Sequence, residues 1–457
     1  MAGIFKAYDI RGIVNEVLTP ELAYLIGRGL GQEVFQQQGP IVVSRDMRLY
    51  SPALSAELIR GLMEAGCDVI DIGLAATPMN YWANVHYKAQ GSVTVTASHN
   101  GPEYNGFKVS GPEAMPLDYL TGLDKVEGFV LRAQMNKSHA ALATVPTPGT
   151  SQNVENALTD YLDFMDNFVS PVTHRLKIGV DTANGMGGFF LPDFFARHEA
   201  LEPVPLYWEL DGAFPNHEAD PLKAENLRDV QQLVKDHQCD FGVAFDGDAD
   251  RCMFVDEMGE SISSDLITAL IAEAVLAQKP GSPILYDLRS SKVVPEWIEQ
   301  HGGLPVRGRV GHSFMKRLLK EKGAPFGGEL SGHYYFRDCF YTDSGLMAMI
   351  QVINICHERQ QTLSQLVAPL RRYSSTGELN FRVPDVTAVL QRVEDNYQKR
   401  GAKTDHMDGL TVEMEDWWFN LRASNTEPLL RLNLEAASTS ERDAHLNALK
   451  QFIQEAS

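Results

Sequence analysis

The sequence predicts an α/β protein in four parts, three similar strand–helix–strand units followed by a smaller α+β unit. Three observations carry that reading. One pattern, a short apolar strand ending in a polar turn with a helical stretch behind it, occurs three times. The chain of 457 residues is too long for a single core. From residue 371 onward the pattern changes character.

The recurring strands are Ile41-Val42-Val43-Ser44-Arg45-Asp46, Ile178-Gly179-Val180-Asp181-Thr182-Ala183 and Ile284-Leu285-Tyr286-Asp287-Leu288-Arg289. The first is trailed by the amphipathic run Ser55 to Glu64, with Leu58, Ile59, Leu62 and Met63 on one face. Another strand follows at Asp68 to Ile72. This rhythm argues for parallel pairing inside each unit. The likeness is one of pattern, not of sequence identity. Small, polar, Pro-containing residues from Ala140 to Asn153 read as a linker. Further boundaries fall near Met258-Gly259-Glu260 and near Arg371 to Gly377. The units expected are therefore 1–150, 151–258, 259–370 and 371–457. The last has a strand at Leu379 to Val383, a helix from Val386 to Arg400, and later strands.

Composition narrows the partners. Hydrophobic residues make up 44% and charged residues 22%, an ordinary globular balance. The net charge of −20, from 40 Lys+Arg against 60 Asp+Glu, disfavours nucleic acid and anionic membranes. The cations Arg11, Lys108, Arg251, Arg289, Arg309 and Arg422 nevertheless fall inside unusual motifs, which points to a local positive pocket for a small anion. Five scattered Cys without a CxxC pair fit a reduced, cytoplasmic protein. The opening MAGIFKAYDIRG has no apolar h-region, and no apolar run reaches ~18 residues, so neither a signal peptide nor a membrane span is expected.

Val93 to Thr96 alternates in β-branched residues and reads as a strand. It runs into Ala97-Ser98-His99-Asn100-Gly101. A serine at a strand's C-terminal end stands where α/β ligands bind. A plain turn satisfied by Ser98 and Asn100 is the competing reading. Tyr104 to Lys108 adds a second tight turn and a cation nearby. The chain contains no GxSxG elbow and no Gly-Lys dipeptide, against an α/β-hydrolase and a Walker-type P-loop.

The apolar strand Phe241 to Phe245 ends in Asp246-Gly247-Asp248-Ala249-Asp250-Arg251. Carboxylates at alternate positions repel unless a cation lies among them, and hard oxygen donors suit Mg²⁺ or Ca²⁺. Glu257 at the twelfth place gives an EF-hand spacing, but Arg251 stands where that loop needs Gly, and the flanks read as strands. A haloacid-dehalogenase-type nucleophile at Asp246 and a solvated acidic turn are further alternatives.

Gly327-Gly328-Glu329-Leu330-Ser331-Gly332-His333 offers Glu, Ser and His for a vicinal pair of sugar hydroxyls, with a turn holding a satisfied His as the alternative. Arg307 to Ser313 places cations and His312 on a Gly-flexible loop, or on a basic surface turn. Arg422-Ala423-Ser424-Asn425-Thr426-Glu427-Pro428 could wrap a phosphate. Read instead as a capping box, Ser424 and Glu427 would precede a helix, but Leu430 to Glu435 alternates as a strand.

Together these residues resemble the α-D-phosphohexomutase family, of the phosphomannomutase/phosphoglucomutase type, over nearly the whole chain. Lys6 to Gly12 is similar to the family's N-terminal signature, Thr96 to Asn100 to its phosphoserine loop, and Asp246 to Arg251 to its metal loop. Glu329 to His333 is similar to its sugar-binding loop, and Arg422 to Pro428 to its phosphate-binding loop. The resemblance implies four domains around a central cleft, three of them mixed-sheet α/β. It implies reversible exchange between hexose 1-phosphate and hexose 6-phosphate, with Mg²⁺ and a hexose 1,6-bisphosphate intermediate. Ser98 would carry the phosphate, and Asp246, Asp248 and Asp250 would join it at the metal. Arg11, His99, Lys108, Arg251 and His333 would serve the chemistry, with His333 and Lys108 as alternative general bases. Tyr8, Arg289, Arg309, His312, Glu329, Ser331 and His333 would bind the sugar phosphate, and Arg422, Ser424, Asn425 and Thr426 the non-reacting phosphate. The implied partners are small sugar phosphates, with no nucleic acid or membrane, in a monomer or dimer.

The chain also departs from the family pattern. Gly101 replaces Pro, Ala249 replaces Gly, and Arg289 and Arg309 stand where Lys is common, exchanging a point charge for a planar fork. Leu330 stands where glucosamine-phosphate mutases carry Gln, and the loop is closer to the mannose/glucose type. Mannose and glucose remain open between themselves.

Overall fold

The computed structural model describes residues 3–36, 39–135, 147–423 and 429–456. Four sheets follow one another along the chain. The first contains β1 (Ile10–Ile13), β2 (Ile41–Arg45), β3 (Val69–Leu74), β4 (Gly91–Val95), β5 (Tyr104–Ser110) and β6 (Ser151–Asn153), in the order β1-β5-β4-β2-β3-β6. Its β4, β2, β3 and β6 run parallel, while β5 and β1 are antiparallel additions. The second contains β7 (Leu176–Asp181), β8 (Leu201–Leu206), β9 (Phe241–Phe245), β10 (Cys252–Asp256) and β11 (Ser261–Ile262), ordered β11-β10-β9-β7-β8. The third contains β12 (Pro283–Asp287), β13 (Leu304–Gly308), β14 (Phe326–Gly328), β15 (Tyr334–Phe336) and β16 (Thr342–Asp343), ordered β13-β12-β14-β15-β16. Both repeat the plan of a parallel centre with antiparallel strands on one side. The three sheets are thus mixed.

The fourth sheet differs. β17 (Ser374–Phe381), β18 (Lys403–Asp405), β19 (Leu410–Glu413), β20 (Trp417–Ala423) and β21 (Leu430–Ala436) pair antiparallel throughout, in the order β17-β21-β20-β19-β18. The expected helix occupies Val386–Gln398, and a second follows at Thr439–Ala456.

Two boundaries shift against the sequence reading. Ser151–Asn153, read as linker and as the start of the second unit, form the exposed edge strand of the first sheet. Backbone pairing at a sheet edge needs no apolar side chain, so such a strand leaves no hydrophobic signature. β11 lies beyond residue 258, yet pairs with β10 of the second sheet. Residues 140–146 of the linker lie outside the described residues.

Local packing explains the elements. The helix Pro20–Gly29 starts with Thr19 accepting from the Leu22 amide at 3.2 Å and with Pro at its first position. It meets the helix Ser51–Glu64 backbone to backbone. A Cβ at Gly27 would strike the Leu58 carbonyl, and one at Gly61 the Tyr24 carbonyl. A single apolar cluster includes Trp82, Phe190, Phe245, Tyr334 and Ile350, and so runs through the first three units. Each fully buried side chain of this size contributes roughly 1.5–3 kcal/mol. The last unit has a separate core around Val393, Phe419, Leu432 and Ile453. Among the described residues, no helix is long and apolar enough to cross a membrane.

Candidate active site

The motif loops leave the C-terminal ends of β4, β9, β12 and β14, the end of an open α/β sheet where ligands bind. Ser98 follows β4 in a left-handed conformation with φ 51°. Its amide donates to Thr96 Oγ1 at 2.9 Å. Its Oγ lies 3.0 Å from Asp246 Oδ2 and 3.2 Å from His99 Nδ1. The Ser98 carbonyl rests against Gly247, where any Cβ would overlap it. The serine loop of the first unit and the acidic loop of the second are therefore in direct contact.

The acidic loop joins antiparallel strands, β9 and β10, which removes the EF-hand reading. The ligand atoms of Asp246, Asp248 and Asp250 lie within 4.8 Å of one another, and all three side chains are buried. Lys108, on β5, reaches them from the first unit, with Nζ 2.7 Å from Asp248 Oδ2 and 2.5 Å from Asp250 Oδ2. Arg251 Nε donates to Asp246 Oδ2 at 2.9 Å. Thr77 Oγ1 donates to Asp248 Oδ2 at 2.5 Å. Asp248 Oδ1 and Asp250 Oδ1 are buried without a hydrogen-bond partner among the described residues. Orphaned carboxylate oxygens beside three hard donors fit a divalent cation such as Mg²⁺ or Ca²⁺.

Burial pushes the Asp246 carboxyl well up, with Asp250 and Asp248 adding to it. Burial pushes Asp250 up as well, but Lys108 and Arg251 reverse this and hold it below the usual carboxylate range. Burial lowers Lys108, and Asp248 and Asp250 more than restore it, so its ammonium stays charged.

The sugar-type loop is joined to the acidic loop through the backbone. Arg251 and His333 form an isolated bridge, and the Cys252 amide donates to the Gly332 carbonyl at 3.1 Å. His333 Nδ1 lies 2.9 Å from Ser331 Oγ, and Nε2 lies 3.6 Å from Asp250 Oδ1. Burial, with Arg251 and Lys108 nearby, holds this imidazole well below its ordinary pKa, so it is neutral. Glu329 accepts from the Gly311 amide at 2.8 Å and from the Tyr335 hydroxyl. Burial and then Asp287 push its carboxyl up to about 7. His312 faces His333 at 6.1 Å between ring centroids, and Tyr8 meets His312 edge-on at 5.9 Å. Arg309 stacks over Phe314 at 4.5 Å.

Arg11 binds Asp9 at 2.5 Å and donates to the Asn100 amide oxygen. Arg289 donates to Asp287 Oδ2 at 2.7 Å, while the Leu330 amide donates to the same oxygen at 2.8 Å. Glu378 on β17 bridges Arg422 at 2.5 Å and Arg431 at 3.1 Å, and lies 3.7 Å from Arg289. Ser424, Asn425 and Thr426 lie outside the described residues.

Sequence reasoning missed several buried polar groups around these loops. Arg48, Thr77, Lys316 and Asp343, and the half-buried Glu378, sit in no Gly-rich or carboxylate-rich cluster. The one available signal was Arg45-Asp46-Met47-Arg48, a charged turn at the end of the first recurring strand.

Comparison with known proteins agrees with this arrangement. Residues 2–136, 159–259 and 263–373 match the alpha/beta/alpha domains I, II and III of phosphoglucomutase/phosphomannomutase, and 378–449 match its C-terminal domain. A protein of Xanthomonas campestris named "Phosphohexose mutases" is 40% identical over 433 residues, 94% of each chain. The phosphomannomutase of Methanocaldococcus jannaschii is 36% identical over 456 residues, covering 98% of this chain and 97% of its own. The crystal structure of a phosphoglucomutase/phosphomannomutase family protein from Burkholderia thailandensis superposes with a TM-score of 0.89 at 33% identity, over 99% of this chain and 97% of that one. The chain belongs to the phosphoglucomutase/phosphomannomutase family. It is an enzyme of the intramolecular phosphotransferase type.

Proposed function

We propose that the protein interconverts hexose 1-phosphates and hexose 6-phosphates, of mannose and/or glucose, with Ser98 as phosphate carrier and a hexose 1,6-bisphosphate as intermediate. The observation that carries this reading is the buried contact of Ser98 Oγ with Asp246 Oδ2 at 3.0 Å, which sets a hydroxyl nucleophile at the rim of the acidic cluster. The names of the Xanthomonas and Methanocaldococcus relatives support it.

In the forward half-reaction the Ser98 Oγ–P bond breaks as a bond forms from a free sugar hydroxyl oxygen to phosphorus. His333, neutral beside this rim, takes the hydroxyl proton. Lys108, held as an ammonium by Asp248 and Asp250, is instead the acid that returns a proton to the departing Ser98 Oγ. After the bisphosphate turns over, its other phosphoryl returns to Ser98 by the reverse step. Asp246, Asp248 and Asp250, with Ser98, would hold Mg²⁺, which when bound neutralises charge on the transferring phosphoryl group. Lys108 and Arg251 add positive charge on the same side, with Arg11 and His99 flanking the serine. Glu329, Ser331, His333, His312 and Tyr8 line the sugar side, while Arg289, Arg309 and Arg422 take the distal phosphate with Ser424, Asn425 and Thr426. Exclusion of water protects the phosphoserine from hydrolysis.

The test is Ser98→Ala, assayed with mannose 1-phosphate, glucose 1-phosphate and glucosamine 1-phosphate. Mutase turnover is expected to vanish, with the wild type favouring mannose or glucose over glucosamine. A Ser98→Ala enzyme that still releases inorganic phosphate would make Asp246 the nucleophile and overturn the reading.

A further inference from the structure

We propose that Arg48 is a positioning residue for phosphoryl transfer, which gathers the backbone carbonyls of the serine loop and thereby fixes the aim of Ser98 Oγ. The inference rests on the reading of Ser98 as phosphate carrier.

Arg48 follows β2 and is only 1% exposed. Its guanidinium donates to four carbonyls of one loop. One terminal nitrogen reaches Ser98 O at 2.8 Å and Asn100 O at 2.6 Å, and the other reaches Gly101 O at 2.6 Å and Tyr104 O at 3.2 Å. Two terminal nitrogens carry four N–H groups, so the fork matches the loop donor for acceptor. With the carbonyls drawn to the back, Ser98 keeps its left-handed φ of 51°, a region L-residues disfavour unless held there. Oγ is then left to face Asp246.

The fork is itself fixed from two units. Asp46 lies 3.1 Å from Arg48 Nε and accepts from the Arg48 amide at 3.0 Å. Ser51 Oγ donates to Asp46 at 2.5 Å, and Asn105 donates to Ser51 at 2.8 Å. From the second unit, the Phe214 ring covers the guanidinium at 4.9 Å, and Gly212 lies against the backbone of the turn. A lysine here would offer three donors and no plane, and could not hold four carbonyls.

The step affected is breakage of the Ser98 Oγ–P bond with formation of the sugar oxygen–P bond, the hydroxyl proton passing to His333. Its rate depends on in-line aim, and a displacement near 1 Å costs about 100-fold.

The experiment compares wild type, Arg48→Lys and Asp46→Asn, with folding checked by circular dichroism. Each is incubated with glucose 1,6-bisphosphate, and phosphate is located by intact mass and peptide mapping. Single-turnover transfer to hexose 1-phosphate, kcat and KM follow. For folded Arg48→Lys, the transfer rate and kcat are expected to fall about 100-fold, with KM within about threefold. Asp46→Asn is expected to fall about tenfold in kcat, and it decides the matter if Arg48→Lys does not fold. A folded variant with wild-type transfer rate, or one whose KM alone changes, overturns the inference while leaving the carrier reading intact. Wild-type phosphate mapping away from Ser98 overturns the carrier reading itself, and this inference with it.

Discussion

Replacing Lys316 with Met probes a buried ion pair whose cost can be worked from the structure. Lys316 lies on the helix His312–Lys322, and its Nζ is 2.8 Å from Asp343 Oδ1, with both side chains 0% exposed. The ammonium also lies 3.8 Å from the centre of the Tyr81 ring, contributed by the first unit. Burial lowers the Lys316 pKa and raises that of Asp343 to about 6, so above that pH Asp343 faces the lysine as a carboxylate. Met keeps most of the volume and leaves the carboxylate unpaired. That state is expected to lose about 3–5 kcal/mol of stability at pH 8. The sign of the pH dependence follows from linkage. Asp343 is raised above its unfolded value of about 3.9, and loss of the lysine raises it further. A raised acid contributes stability that is full below the unfolded pKa and lost as pH rises through the folded one. The penalty of Lys316→Met is therefore expected to shrink between pH 8 and pH 5, by up to ~1.4 kcal/mol per pH unit. Denaturant unfolding at pH 5, 6.5 and 8 measures it, with Lys316→Met/Asp343→Asn as the partner variant. The double variant has no unpaired charge and is expected to recover most of the loss. An equal penalty at pH 5 and pH 8, or a double variant less stable than the single, would refute the argument.

Glu329, raised by burial and Asp287 to about 7 from an unfolded value near ~4.3, contributes stability that is lost as pH rises across that window, roughly 4 kcal/mol in all. Glu329→Gln is expected to flatten the melting temperature between pH 4.5 and 8, and an undiminished slope assigns the effect elsewhere. Mg²⁺ at a hundred times its Kd is expected to stabilise the protein by about 2.7 kcal/mol in thermal unfolding, and Asp248→Asn to abolish the increment. A Mg²⁺ effect that survives this change moves the ion to another site. Gly247→Ala puts a methyl group against the Ser98 carbonyl, and kcat is expected to fall 10- to 100-fold or about that in steady-state assays, with KM little changed. A variant with wild-type kcat would show that the serine loop tolerates the displacement.

The fold was legible where physics writes into sequence locally. The three strands at Ile41, Ile178 and Ile284 are apolar because each lies between two parallel neighbours with most of its residues buried. The edge strand Ser151–Asn153 was not legible, because its pairing is all backbone and its side chains are exposed. Asp246 to Asp250 announced itself because like charges at close spacing demand an explanation. Arg48 did not, since its partners are carbonyls 50 to 56 residues away and carry no sequence identity. Lys316 and Asp343 look like a surface lysine and a turn aspartate until tertiary packing buries both.

The same distinction resolves the tension between a chain of net charge −20 and a cleft for anions. The motif cations are real, but most are already engaged. Lys108 holds Asp248 and Asp250, Arg251 holds Asp246, Arg289 holds Asp287, and Arg422 holds Glu378. Buried ions need partners of opposite sign, since an unpaired one costs several kcal/mol. The carboxylates that give the protein its acidity are thus, at this site, the counter-ions that let a positive pocket be buried at all. Sequence reading sees the cations because they cluster in motifs. It misses the pairing of Lys108 and of Arg422 because their partners are chosen by the fold, from another unit and from another strand.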